Sequence, residues 1–210
     1  MTAGLGAALV LSWGTGIGFL VQRALAPLAE PVVRSAPGVS RSAPSRRPTG
    51  RGFVVPKATT PIARGGVSVV DVGVDVSSLA DALAQQRAAA RDAGETMLVM
   101  TTSSDCEPCE SLFNALPEPR MQAALARVRL VRVDLRVFKD DLESLQIPHD
   151  AYPGFFVLGP DLRPRDGIDA GEWDDNVPEN MAPVLDAFVR GQLTKRRTPW
   201  QVLPGAGMRL

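Results

Sequence analysis

Cys106 and Cys109 are the only two cysteines in a chain of 210 residues, and they stand as Cys-Glu-Pro-Cys. At this spacing one thiol can attack a disulfide in a second molecule, and the other can then release the mixed disulfide that forms. The surrounding sequence, Ser104-Asp105-Cys106-Glu107-Pro108-Cys109-Glu110, follows the apolar run Met97-Leu98-Val99-Met100 and precedes a helical pattern carrying Leu112, Phe113 and Leu116. A strand end would therefore bring Cys106 to the surface. The first turn of the helix would offer it unpaired N–H groups and about half a positive charge, both of which favour thiolate. Pro108 suits that first turn, where a missing N–H costs nothing. Cys109 falls almost one turn on and is expected to be the more buried, resolving thiol.

Other uses of a cysteine pair lack the residues they need. A zinc site takes four ligands, and only His149 could add another soft donor. Covalent haem attachment needs His after the second cysteine, where this chain has Glu110. A copper carrier would want a His or Met cluster beside the motif. No metal and no organic cofactor is expected. His149 reads as a solvated loop residue, since nothing nearby in sequence would orient it for catalysis.

Asp105, Glu107 and Glu110 flank the dithiol and should modulate it, with Pro108 fixing the turn. At about 7 Å one such charge opposes a thiolate by about 0.6 kcal/mol in water. Two or three would offset the benefit of about 0.3–1 kcal/mol from the helix terminus. Cys106 should then titrate nearer to a free thiol than the nucleophile of a strong oxidant does.

The elements that must position this motif are legible as an alternation. Val70, Val72, Val74 and Val76 show strand periodicity, and Ser77 and Ser78 can cap a helix over 79–93. After the dithiol helix, interrupted at Pro117, come a helix over 118–127 and a strand over 129–137. A short helix at 140–145, a strand at 154–158, a brief strand near 165–168 and a last helix at 179–193 complete the series. Order βαβαβαββα implies an α/β sandwich, a central sheet with helices on both faces.

The front of the chain differs in kind. Residues 1–66 hold eight basic residues and one acid, leaving fifteen basic and twenty-two acidic residues for the remainder. This asymmetry divides the chain into physically different parts, and there is no basic stripe with interleaved aromatics to suggest nucleic acid. Residues 3–22 carry no charge and are long enough to span about 30 Å of hydrocarbon. No Lys or Arg precedes them, as a signal peptide would require, and Pro27 follows the cleavage-like Ala24-Leu25-Ala26. Residues 1–26 are thus expected to be an uncleaved transmembrane anchor. Residues 27–66, with seven prolines and no apolar periodicity, should be a disordered linker. The folded domain should occupy 67–193, leaving 194–210 as a C-terminal tail whose Lys195-Arg196-Arg197 is solvated. Arg23 and Arg34 behind the anchor favour a cytoplasmic domain by the positive-inside rule.

Three segments, MLVMTTSSDCEPCESLF, VRLVRVDLRV and IPHDAYPGFFVLGPDLRPRDG, resemble the thioredoxin-like superfamily over about residues 67–193. The resemblance implies a thioredoxin-like fold and dithiol–disulfide exchange on protein substrates, with a separate redox partner protein. It implies that Pro153 is a cis-proline lying against the dithiol, with Tyr152 beside it in the substrate-binding surface. It also implies, from membrane-tethered bacterial relatives, a domain facing the periplasm from a single-pass inner-membrane anchor. Two positions depart from the family. Asp105 stands where Trp usually precedes the first cysteine, and Met100 stands where thioredoxins proper carry a buried acid. A mild, dedicated exchanger fits these departures better than a general reductant does. A thioredoxin-shaped binding or assembly module of a membrane complex, without turnover, is the alternative.

Overall fold

The structure, a computed structural model, describes residues 52–200. It is an α/β sandwich around one six-stranded mixed sheet in the order β1-β2-β4-β3-β5-β6. The strands are β1 (Thr60–Arg64), β2 (Val67–Asp71), β3 (Thr96–Thr102), β4 (Val128–Asp134), β5 (Gly154–Leu158) and β6 (Pro164–Asp169). The helices are α1 (Leu79–Asp92), α2 (Glu107–Ala115), α3 (Pro119–Ala124), α4 (Lys139–Ser144) and α5 (Pro178–Val189), with a 3-10 turn at Ala170–Glu172. Strands β2, β4 and β3 are parallel, and β1, β5 and β6 add antiparallel partners at the two sides.

Alternation along β3 divides the interior in two. Leu98 and Met100 face a core made with α2, α3 and α5 through Leu112, Leu116, Met121, Leu185 and Phe188. Met97 and Val99 face the other core, made with α1 and α4 through Leu79, Leu83 and Leu142. Both faces of the central strand are therefore buried, which is why it reads as an unbroken apolar run. Leu98, Val99 and Met100 are all 0% exposed, and full burial of such a side chain contributes about 1.5–3 kcal/mol.

Local chemistry sets the helix ends. Ser78 caps α1, its Oγ accepting from Asp81 N–H at 3.0 Å. Pro117 cannot extend α2, which stops at Ala115, and Pro119 then opens α3 at a position that needs no N–H donor.

The structure corrects three sequence boundaries. The expected linker over 27–66 contains β1 and a two-residue hairpin turn, Gly65-Gly66, whose φ values are 58° and 89°. Two glycines in left-handed conformation match the twist of a hairpin. Phe53 is also buried, so the folded part begins well before residue 67. The strand expected over 70–76 ends at Asp71, and Val74 is 52% exposed. Val74 and Asp75 instead donate N–H to the Pro56 and Lys57 carbonyls, tying down the segment that leads into β1.

The third boundary is the expected solvated tail, which is clamped as far as residue 200. Arg196 forms a two-pronged ion pair with Asp166 at 2.7 and 2.6 Å, and that hydrogen bonding holds its guanidinium above its usual range. Glu172 accepts from the N–H groups of Arg197 and Thr198, both at 3.0 Å. Trp200 stacks obliquely on Phe156 with centroids 6.0 Å apart. Arg196 and Arg197 of this tail thus pair with Asp166 and Asp174 of the domain. No helix among the described residues is long and apolar enough to cross a membrane. The anchor expected over 1–26, and the linker as far as residue 51, lie outside the described residues.

Candidate functional site

Strand β3 ends at Thr102, and four residues later the chain enters α2. Cys106 is the residue that caps that helix: its backbone is extended, and its Sγ accepts from Cys109 N–H at 3.1 Å. The sulfur thus occupies the place of an oxygen in an ordinary N-cap, directed at the unpaired N–H groups of the first turn. That geometry favours negative charge on Cys106 once the pair is reduced. Cys106 and Cys109 form a disulfide, with Cα atoms 5.2 Å apart. Both are closely covered, at 1% and 2% exposure. The strand end therefore does not deliver Cys106 to open solvent, because its side chain packs into the core shared with Leu112 and Met100.

The flanking acids are not equivalent. Asp105 is exposed, but its carboxylate accepts from Ser103 Oγ at 2.6 Å and pairs with Arg136. Those two hydrogen bonds, Ser103 first, hold Asp105 below the usual carboxylate range. Its charge is shared with Arg136, which weakens its opposition to a thiolate. Glu107 is exposed and Glu110 half-buried, both in the first turn of α2 with Pro108.

The Tyr152–Pro153 peptide bond is cis. Pro153 is buried and Tyr152 is 40% exposed. The next residue, Gly154, pairs with Thr101 at the end of β3, and Gly154 N–H donates to Thr101 Oγ1 at 3.0 Å. The proline loop is thereby fixed beside the strand end from which the dithiol loop departs. His149 is held apart in the preceding loop, its Nε2 3.4 Å from Glu143 Oε1.

Behind Cys109 lies a feature that the motif does not announce. A cavity of about 360 Å³ is walled by Cys109, Thr102, Asp71, Arg132, Phe53 and Phe113, among others. Arg132 Nε and Nη2 donate to the two oxygens of Asp71 at 2.6 and 2.7 Å, with both side chains under a tenth exposed. The guanidinium lies between aromatic rings, 3.9 Å from the Phe113 centroid and 4.7 Å from that of Phe53. Gly52 crosses so close to the Ser104 carbonyl that a methyl group there would collide with it. Residues 52 and 53 thus close the Cys109 side of the dithiol. The sequence holds a signal for the ion pair, namely opposite charges set inside two apolar strand runs, Val69-Val70-Asp71-Val72 and Val131-Arg132-Val133. For Phe53 the local sequence gives none.

No protein-family model matches the chain, and no curated protein does. Three solved structures to which it is similar have redox descriptions. A disulphide isomerase from Xylella fastidiosa Temecula1 is 21% identical over 56% of this chain and 93% of that one, with a TM-score of 0.40. Oxidised mitochondrial thioredoxin 3 from Saccharomyces cerevisiae is 18% identical over 52% and 89%, with a TM-score of 0.35. A redox protein from Chlamydomonas reinhardtii is 10% identical over 70% and 43%, with a TM-score of 0.42.

Proposed function

We propose that the chain is a thiol–disulfide oxidoreductase of thioredoxin-like type, acting on protein substrates through Cys106 and Cys109. One observation carries the reading: the two cysteines close a disulfide in which Cys106 Sγ caps α2 and accepts from Cys109 N–H. In the reductive direction Cys106 thiolate attacks a substrate sulfur, the substrate disulfide breaks, and its second sulfur leaves as thiolate. Cys109 thiolate then attacks Cys106 Sγ, closing the intramolecular disulfide and releasing the reduced substrate. A dithiol partner protein returns the electrons. Cys106 is covered in the disulfide form, and substrate would approach it along exposed Ser104, Asp105 and Tyr152. Tyr152 and Pro153 would line the substrate chain. Residues 1–26 would hold the domain at the inner membrane with the dithiol on the periplasmic side.

The test is insulin reduction by the full chain with Cys106→Ser as control, combined with cellular trapping by Cys109→Ser. The reading expects turnover that Cys106→Ser abolishes, and mixed disulfides through Cys106 in the trapping variant. Absence of both would overturn it in favour of a thioredoxin-shaped assembly module. Protease accessibility of the domain in spheroplasts tests the proposed side of the membrane, and resistance until lysis would place the domain in the cytoplasm.

A further inference from the structure

The Thr102 side chain is fully buried, and its hydroxyl has no hydrogen-bond partner among the described residues. It ends β3 on the face it shares with Leu98 and Met100, towards the core containing both cysteines, and it lines the same cavity as Cys109. Of the other polar groups in that cavity, both Asp71 oxygens hold Arg132, Arg64 donates to the Phe113 carbonyl and Asn114, and the half-buried Glu110 carboxylate makes no bond to Thr102. A buried donor without an acceptor is unfavourable. In the disulfide form the Cys109 sulfur is held by its bond to Cys106 and accepts nothing from Thr102, whereas a released thiolate is a strong acceptor that this bond no longer holds.

We propose that the Thr102 hydroxyl is the receptor for the Cys109 sulfur in the reduced protein, a positioning donor that favours the open dithiol. This rests on the dithiol opening and closing as described above. When an external thiolate attacks Cys106 Sγ, the Cys106–Cys109 bond breaks and its electron pair leaves on Cys109. Thr102 O–H donates to that departing thiolate and later to the thiol that forms when the thiolate takes a proton from solvent. The external thiol is oxidised into a mixed disulfide, and a second equivalent completes the reduction. Thr102 thus stabilises the leaving group of the first step and the product of the second.

Thr102→Val keeps the shape and removes the hydroxyl, and Thr102→Ser keeps the hydroxyl. The full chain carrying each is equilibrated with glutathione buffers, and the fraction reduced is read by mass after alkylation. The valine variant should favour the disulfide by roughly 2- to 12-fold, as expected for loss of one hydrogen bond to a neutral thiol, and serine should stay near the unsubstituted chain. Peptide-resolved alkylation of phosphine-reduced protein should show the Cys109 titration moving up in the valine variant alone. The unfolding midpoint of its oxidised form should not fall. An unchanged glutathione equilibrium and Cys109 titration would overturn the proposal, as would equal destabilisation of the oxidised and reduced forms. Failure of the unsubstituted dithiol to exchange with glutathione would instead count against the functional reading, and alkylation of the phosphine-reduced chain would still decide the role of Thr102.

Discussion

Asp71→Asn should destabilise the domain more than any surface change. Asp71 and Arg132 are joined by two hydrogen bonds at 2.6 and 2.7 Å, with side chains 8% and 6% exposed. Removing the negative charge leaves a guanidinium buried between Phe53 and Phe113 without a counter-ion. Breaking a pair of this kind by one partner costs about 3–5 kcal/mol. With a urea dependence of about 2 kcal/mol per molar, the midpoint should fall by about 1.5–2.5 M. Urea titration of the full oxidised chain, followed by circular dichroism, gives both quantities. The same charge balance sets the outcome for the double variant. Asp71→Leu with Arg132→Met removes both charges and retains apolar volume, so most of the loss should be recovered. A single-variant cost below about 1 kcal/mol, within the range of an exposed pair, would refute the argument. So would a double variant as unstable as the sum of its singles.

Other expectations are smaller or more local. Arg136→Leu should raise the Asp105 titration towards its ordinary value of 3.8, since Arg136 is one of the two side chains holding it down; an unmoved carboxyl carbon resonance would contradict this. Because the folded value is the lower one, the stability this pairing contributes is fully present above pH 3.8 and is lost as pH falls through the folded value. Acid titrations of the parent and Arg136→Leu should therefore diverge above that point and converge below it. Leu112→Ala, fully buried between α2 and the sheet, should cost about 2–5 kcal/mol, measured as a shift in urea midpoint. Arg196→Ala should release the C-terminal segment and increase amide exchange at Arg197 and Thr198; unchanged protection there would show that Glu172 alone holds it.

Elements whose pattern is complete within their own residues were legible in the sequence. Helix α1 carries its cap at Ser78, β3 is apolar on both faces, and β5 spans Gly154–Leu158 as its apolar run suggests. Misplacements occurred where a distant segment decides the outcome. Alternating valines extend to Val76, yet β2 stops at Asp71 because the chain there packs against residues 57–59 rather than continuing beside β4. Strand β1 was hidden in a Pro- and Arg-rich stretch, and its best local sign was the Gly65-Gly66 turn. At the candidate site, the motif located the two sulfurs, and the cis bond before Pro153 was implied by the family resemblance alone. Neither could reveal Phe53, Thr102 or the ion pair, since their relation to Cys109 exists only after the sheet is assembled.

Gly52 and Phe53 have a practical meaning for any shortened form of this protein. A fragment starting at residue 67 would lose β1 along with them. Strand β2, whose Val67, Val69 and Val70 are each 1% exposed, would become a bare sheet edge with unpaired backbone groups. Such an edge is a template for intermolecular pairing. Water would at the same moment reach Arg132 and the back of Cys109. Loss of activity in that fragment would then report aggregation and a flooded dithiol rather than any contribution of the removed segment to substrate recognition.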